Sequence, residues 1–346
     1  MTRFPISLLL ILSVILACSQ PKNLDVFTIA ETYQTERDER NNIDSPAVWH
    51  GPNEQHWLIA TAKQGDALFV YNAENGELVN KVGESGTQPG QLERPNGVFV
   101  IDDLAIVVER DNRRVQVFDL PEFNPLGFIG DTLLINPYGL FVHKLESGHY
   151  SMYVTDNYET ADEQIPPDQE LGKRVHHYTF SPSENELDWT LVKQFGETNG
   201  DGVLSIVESI WADVDQNRLL IAEEDESQSS VKVYDLQGNF TGIIFGRDVF
   251  DYQVEGIALY ETGPDTGYWI ITDQSHENNR FHIFSRTEFE YVATFKAPNT
   301  TNTDGIWLSP VAFGDFDKGA FFAVHNDGNV STIDWASVIN TIGLND

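Results

Sequence analysis

The sequence predicts an all-β fold, and three observations lead to that expectation. From about Asp25 onward the chain is a series of short runs in which apolar and β-branched residues alternate with polar ones. Glycine, asparagine, aspartate and proline separate these runs, as they separate strands in sheet proteins. No long stretch has helical periodicity. Strands this short and evenly spaced are typical of a sandwich, a barrel or a propeller.

Internal repetition decides among these architectures. The segment VGESGTQPGQLERPNGVFVIDDLAIVVERDNRRVQVFDL resembles a propeller repeat of the NHL type, and its rhythm returns in the segments beginning QFGETNG and VEGIALY. A spacing of about 40 to 50 residues with roughly four strands per repeat is the mark of propeller blades. About 300 residues at this period give about six blades. We therefore predict a six-bladed β-propeller in a single domain.

The two ends of the domain are expected to meet. The early segment DVFTIAETYQ and the late segment VSTIDW both have strand patterns. Pairing them in the last blade closes the ring and removes a free sheet edge. The polar stretch 160–173 has no strand pattern, so we expect a long surface loop there.

The N-terminus predicts export and a lipid anchor. Arg3 precedes an apolar run at 8–17, which is too short for a permanent membrane span and typical of a signal peptide. The run ends in Ile-Leu-Ala-Cys, which resembles a bacterial lipobox with Cys18 as the lipidated residue; the alternative is an ordinary signal peptide with a chance cysteine. Ser19 after the cysteine favours anchoring to the outer membrane of the cell envelope. The expected organisation is a signal peptide over 1–17, a lipidated N-terminus and linker over 18–24, and the propeller over 25–346.

The charge balance excludes some partners. The chain has 54 acidic and 21 basic residues, a formal net charge of −33. Nucleic acid needs a cationic footprint, so we expect no nucleic-acid partner. Two interpretations of the acidity remain, a solubilising surface or clustered carboxylates that bind hard cations through oxygen. Cys18 is the single cysteine, so no disulfide forms within the chain. We expect a monomer.

Several polar motifs occur in order along the chain and carry a family resemblance. They are NIDSPAVW with Asp44, TAKQGD with Lys63, INPYGLF with Asn136 and Tyr138, VESIWADVDQNRLLIAEEDE with Glu208 and Glu224, VEGIALY with Glu255, IITDQS with Gln274, and NTDGI with Asp304. As an ordered set, from Asp44 to about Asn329, they resemble the motifs of the calcium-dependent β-propeller phytases.

The resemblance implies a set of site residues. In that family several Ca²⁺ ions lie at the top of the propeller near its axis, where carboxylates hold them and substrate phosphates bind to them. The positions that match metal ligands are Asp44, Asn136, Glu208, Glu224, Glu255, Gln274 and Asp304. The positions that match catalytic or phosphate-binding residues are Lys63, Tyr138, Glu208 and an arginine. That arginine is Arg110, Arg113 or Arg114, and we take Arg110 as the candidate.

The implied activity is a calcium-dependent phosphomonoesterase reaction on phytate (myo-inositol hexakisphosphate) or a related ester, with attack by a metal-activated water. Calcium would turn a self-repelling carboxylate cluster into a positive surface for a polyanion. The alternative is a non-catalytic, lipid-anchored propeller that binds a ligand or a protein, because propellers host unrelated functions.

The substrate half of the site departs further from the family than the metal half. Gln64 stands where the family has a second lysine, and Asn157 replaces a phosphate-binding lysine. Losing cations weakens phosphate binding directly, because charge-assisted hydrogen bonds are the strong ones. We therefore expect the metal half of the site to be better retained than the phosphate half.

Overall fold

A computed structural model describes residues 24–146, 148–183 and 187–345. The predicted signal peptide and Cys18 lie outside the described residues. Within the described part, no helix is long and apolar enough to cross a membrane.

The described strands form six sheets, which we call blades 1 to 6 in chain order. Blade 1 contains β3 to β6, at Ile43–His50, His56–Ala62, Ala67–Asn72 and Leu78–Val82. Blade 2 contains β7 to β10, at Pro95–Ile101, Leu104–Glu109, Arg114–Asp119 and Pro125–Ile129. Blade 3 contains β11 to β14, at Pro137–Glu146, His149–Asp156, Val175–Pro182 and Leu187–Phe195.

The second half of the chain repeats this plan. Blade 4 contains β15 to β18, at Ile210–Asp213, Arg218–Glu223, Ser230–Tyr234 and Phe240–Phe245. Blade 5 contains β19 to β22, at Gln253–Gly263, Thr266–Gln274, Arg280–Ser285 and Tyr291–Lys296. Blade 6 contains β23 to β25, at Ile306–Ser309, Ala320–His325 and Asn329–Asp334. The short strands β1 (Val26–Thr28) and β2 (Tyr33–Gln34) complete blades 5 and 6.

The first strand of each blade faces the axis, and these inner strands form a closed circle. Strand β3 contacts β7, β7 contacts β11, β11 contacts β15, β15 contacts β19, β19 contacts β23, and β23 returns to β3. The prediction of an all-β, six-bladed propeller is therefore confirmed.

The N-terminal segment closes the ring differently from the prediction. Strand β2 pairs antiparallel with β25 as the outer strand of blade 6, as expected. Strand β1 instead pairs parallel with β22 and becomes the fifth strand of blade 5. Each half of the segment therefore covers a different sheet edge that would otherwise be unpaired.

Two further segments lie outside the strands of the blades. The stretch 160–173 joins β12 to β13 as a loop that contains one 3₁₀ turn, Asp168–Glu170, as predicted. Beyond β25 the chain forms a helix that was not predicted, α1 (Trp335–Ile342). The Asp334 carboxylate caps its first turn by accepting the N–H groups of Ala336 and Ser337. The helix is short because left-handed Gly343 (φ 79°) ends it.

Aromatic rings close the axis of the propeller. The centroid of the Phe99 ring lies 5.4 Å from Phe141, 5.5 Å from Trp211 and 5.1 Å from Trp307. These residues come from the inner strands of blades 2, 3, 4 and 6 and leave an axial cavity of about 60 Å³. These rings form an aromatic floor below the mouth of the propeller.

Candidate functional site: a ring of carboxylates at the mouth of the propeller

At or just before the start of each inner strand, a polar residue is followed by glycine or serine. The strand registers place six dipeptides at equivalent positions, which are Asp44-Ser45, Asn96-Gly97, Tyr138-Gly139, Glu208-Ser209, Glu255-Gly256 and Asp304-Gly305. We call the six polar residues the inner ring. The aromatic floor lies three residues further along the same strands, about 10 Å lower at 3.3 Å per residue.

The small residue lets neighbouring inner strands approach closely. A Cβ atom on Gly139 would lie 2.1 Å from the backbone oxygen of Glu208, and one on Gly305 would lie 2.6 Å from that of Asp44. The Gly305 N–H donates to the same Asp44 oxygen at 3.0 Å. Glycine within a strand often marks such a close backbone approach. The dipeptide pattern therefore draws the six polar residues together around the axis.

Two more sets of residues surround the inner ring. The second ring consists of the residues at the end of the second strand of each blade. They are Lys63, Arg110, Asn157, Glu224 and Asn326, each the first residue after its strand, and Gln274, the last residue of β20. The residue two before each inner-ring residue forms the rim, which is Asn42, Arg94, Asn136, Ile206, Gln253 and Asn302. In blades 1 to 4 the second-ring N–H donates to the rim carbonyl at 2.8 to 3.1 Å.

The structure brings the predicted site residues to this one face. The inner ring contains Asp44, Tyr138, Glu208, Glu255 and Asp304. The second ring contains Lys63, Arg110, Glu224 and Gln274, and the rim contains Asn136. Their roles stay predictions, and their convergence is a property of the fold.

Three glutamates are close enough to share one metal ion. One carboxylate oxygen from each of Glu208, Glu224 and Glu255 lies within 4.8 Å of the other two. Calcium–oxygen distances are about 2.3 to 2.6 Å, so two ligands on opposite sides of one Ca²⁺ are about 4.6 to 5.2 Å apart. Glu224 Oε1 is buried and has no hydrogen-bond partner among the described residues, so it is an open acceptor. The residues present therefore fit a calcium ion.

A second open acceptor is a carboxylate oxygen of Asp304, at the start of blade 6. Gln274 Nε2 donates to Asp304 Oδ1 at 2.7 Å, and this bond orients the carboxylate. Asp304 Oδ2 is buried and lacks a partner in the described part of the chain. The acidic cluster therefore extends from blade 4 through blade 5 to blade 6.

The pKa values reflect how strongly these carboxylates repel one another. Burial, followed by the charge of Asp44, raises the pKa of Glu208 to about 7. Burial and neighbouring carboxylates raise the pKa of Glu224, Glu255 and Asp304 well above the ordinary range. A bound divalent cation would favour the ionised forms.

Lys63 contacts inner-ring residues of two blades. Its Nζ lies 2.6 Å from Asp44 Oδ1 and donates to Tyr138 Oη at 3.3 Å. Burial alone would lower the pKa of Lys63. The nearby carboxylates of Asp44 and Asp304 outweigh burial and raise the pKa above its ordinary value, so the ammonium stays protonated. The lysine that the sequence assigns to a phosphate therefore also neutralises a candidate metal ligand.

The structure separates the three candidate arginines. Arg110 lies in the second ring. Burial raises the pKa of Glu208, and the positive charge of Arg110 partly lowers it again. Arg114 is buried and pairs with Glu109 at 2.7 Å, and Arg113 is exposed. Arg110 is therefore the arginine whose position suits the site.

Sequence reasoning missed a supporting layer of buried carboxylates, each in contact with a basic side chain. Glu109, Asp156, Glu223 and Asp273 each precede a second-ring residue and are fully buried. Their partners are Arg114, His176, Lys232 and His282, at 2.7, 3.3, 2.9 and 3.2 Å. Asp156 also accepts the N–H groups of Ile135 and Asn136, and so holds the rim of blade 3 in place. The available signal was an acidic residue that recurs near the end of VVER, YVTDN, IAEED and IITDQ.

Asn96 is the inner-ring residue that the sequence analysis did not assign. Its side chain is fully buried, and both amide atoms, Oδ1 and Nδ2, lack partners among the described residues. Buried polar groups are normally hydrogen-bonded, so an unpartnered amide in this ring favours a bound ligand. The available signal was the repeated polar-glycine dipeptide.

Fold and site together define a class, a six-bladed β-propeller with a mouth lined by buried carboxylates. Residues 199–340 match the family model described as Phytase, and the resemblance to the β-propeller phytases is confirmed. The match covers blades 4 to 6, which hold Glu208, Glu224, Glu255, Gln274 and Asp304. Blades 1 to 3, with Lys63 and Arg110, lie outside it. No curated protein matches the chain. The family match supports a phytate-hydrolysing activity in general terms.

Proposed function

We propose that this protein is a calcium-dependent phosphomonoesterase that releases phosphate from phytate or a related phosphate ester. One observation carries the proposal. Glu208, Glu224 and Glu255 bring carboxylate oxygens within 4.8 Å of one another, inside the segment that matches the phytase family. This spacing suits hard cations, and the family supplies the reaction class.

The acidic side of the mouth would hold the metal. Glu208, Glu224, Glu255 and Asp304 offer carboxylates. Asp44 and Gln274 lie in the same two rings, and Asn136 lies in the rim. When bound, calcium supplies an activated water and neutralises charge on the phosphoryl oxygens. The protein contributes preorganisation, because inner strands held by glycine contacts keep these side chains fixed.

The opposite side of the mouth would bind the phosphate. Protonated Lys63 in blade 1 and Arg110 in blade 2 offer charge-assisted donors to phosphoryl oxygens. The Tyr138 hydroxyl accepts from Lys63, and the next inner-ring residue along the chain is Glu208, so Tyr138 lies between the cationic and acidic sides. A phosphate ester bound between the two sides would contact positively charged side chains on one side and the metal ion on the other.

The direct test is phosphate release from calcium phytate by the purified domain. We expect release that disappears with a chelator and returns with added Ca²⁺. Calcium binding without release at any calcium concentration would instead indicate a non-catalytic propeller that binds a ligand or a protein.

Lys63→Met is expected to weaken phosphate binding about 10- to 100-fold, because it removes a charge-assisted donor. Calcium affinity should stay equal or rise, since the Asp44 carboxylate loses its competing ammonium. Phosphate and calcium titrations of the variant check this. Lys81→Met, on the outer strand of the same blade, is the control and should change neither. A lower calcium affinity in Lys63→Met would contradict the assignment.

We also propose that the protein is exported and held at the bacterial envelope by lipid on Cys18. The support is the apolar run at 8–17 followed by the lipobox-like Ile-Leu-Ala-Cys. Cys18→Ala is expected to move the protein from the membrane fraction to the soluble fraction without changing its melting curve. Continued membrane association of the variant would refute lipidation as the anchor.

A further inference from the structure

Among the described residues, the guanidinium of Arg94, in the rim of blade 2, has no protein partner. The backbone carbonyl of Arg94 accepts the Arg110 N–H, as that of Asn136 accepts the Asn157 N–H in blade 3, so the two rim positions are equivalent. The side chain is partly buried, and Nε is buried without a hydrogen-bond partner. Among the described residues, no carboxylate pairs with this arginine.

An unpaired, partly buried arginine is unexpected in a chain with 54 acidic residues. The buried arginines elsewhere in the fold are satisfied by the protein. Arg286 is bound by the Asp213 carboxylate, and Arg174 donates to backbone carbonyls that include Leu204 and Ser205. A buried N–H without an acceptor destabilises the fold unless a ligand supplies one. The missing acceptor therefore points to an anion at this place.

Backbone hydrogen bonds hold Arg94 against the turn that follows Lys63 and against Arg110. The φ angle of Arg94 is +48°, a left-handed conformation that is uncommon for residues other than glycine. Its N–H donates to Asp66 Oδ1 at 2.9 Å, in the turn that follows Lys63, and its carbonyl accepts from Arg110 at 3.1 Å. Such unusual conformations cluster at functional sites.

We infer that Arg94 binds the phosphate group of the substrate as the third cation of the mouth, beside Lys63 and Arg110. This inference rests on the proposed function and deepens it. Gln64 and Asn157 leave the phosphate side with two fewer cations than the related family has, and Arg94 restores one of them from a different position. A guanidinium suits the task because two parallel N–H bonds can match two oxygens of a phosphate monoester.

The test is the binding of inorganic phosphate to the full domain at submillimolar calcium, below the onset of precipitation. Arg94→Gln is expected to weaken phosphate binding about 10- to 100-fold, the loss expected for a charge-assisted contact. Arg94→Lys should recover part of the affinity through its remaining charge. Without phosphate, the calcium affinity and the melting temperature should be equal to or higher than those of the wild type in both variants, because no protein contact of the guanidinium is lost. Arg113→Gln, which alters an exposed arginine of the same blade, is the matched control.

The possible outcomes separate the inference from the function on which it rests. Wild-type phosphate affinity in Arg94→Gln would overturn the role of Arg94 and leave the proposed function standing. A reduced calcium affinity or melting temperature in Arg94→Gln would assign the residue a structural role instead. A wild-type protein that binds no phosphate with calcium present would remove both the inference and the proposed function.

Discussion

Glu224→Gln is expected to lower calcium-dependent phosphate release by about 100-fold or more, the scale of losing electrostatic stabilisation at an active site. Glutamine keeps the size and polarity of the side chain but removes the charge that Ca²⁺ needs. Glu208→Gln and Glu255→Gln should act alike, because the three carboxylates lie within 4.8 Å of one another. The measurement is phosphate release across a calcium titration.

The same variants should not lose stability in the absence of calcium. Burial and nearby glutamates raise the pKa of Glu224, so its ionised form opposes folding at neutral pH. Removing that charge should leave the calcium-free melting temperature equal or higher. Glu288→Gln, at an exposed glutamate between β21 and β22, is the control and should retain full activity. Full calcium-dependent turnover in all three variants would place the active site elsewhere.

Calcium is expected to raise the melting temperature by several degrees. A ligand that binds only the native state adds RT ln(1 + [L]/Kd), about 2.7 kcal/mol at a hundredfold excess over Kd. In domains of 150 to 250 residues each kcal/mol is worth about 2 to 4 °C, and somewhat less in a longer chain. Melting curves in a chelator and in millimolar calcium test this, with sodium chloride at matched ionic strength as the screening control. Identical curves would remove calcium from the proposal.

The pH dependence of the calcium-free protein follows from the same carboxylates. The pKa of Glu208 is raised to about 7, and those of Glu224, Glu255 and Asp304 are raised further above their ordinary range. Above about pH 4.5 the native state therefore holds more protons than the unfolded state. The free energy of unfolding then falls as the pH rises through the folded pKa values, because the buried carboxylates ionise. In a chelator the protein should melt at a higher temperature near about pH 5 than near about pH 8. Calcium should reduce that difference, because it favours the ionised carboxylates.

The sequence by itself determined the blade architecture and the residue types at the mouth. Short alternating runs at a period of about 40 to 50 residues predict propeller blades, because each blade is one local unit of four sequential strands. Ordered motifs from NIDSPAVW to NTDGI assign Glu208, Glu224 and Glu255 to one face for the same reason, since equivalent places in successive repeats must lie at the same end of the ring. These features depend on local patterns that a chain displays without folding.

Only the tertiary structure decided which residues of distant parts of the chain are in contact. Gly305 N–H meets Asp44 O at 3.0 Å because β23 and β3 close the ring, although the two residues are far apart in the chain. The same closure splits the N-terminal segment between blades 5 and 6. Packing between blades also brings Lys63 of blade 1 to the Tyr138 hydroxyl of blade 3, and it leaves Arg94 unpaired among the described residues. No local pattern encodes these contacts, because each depends on the distance between blades that meet only in the closed ring.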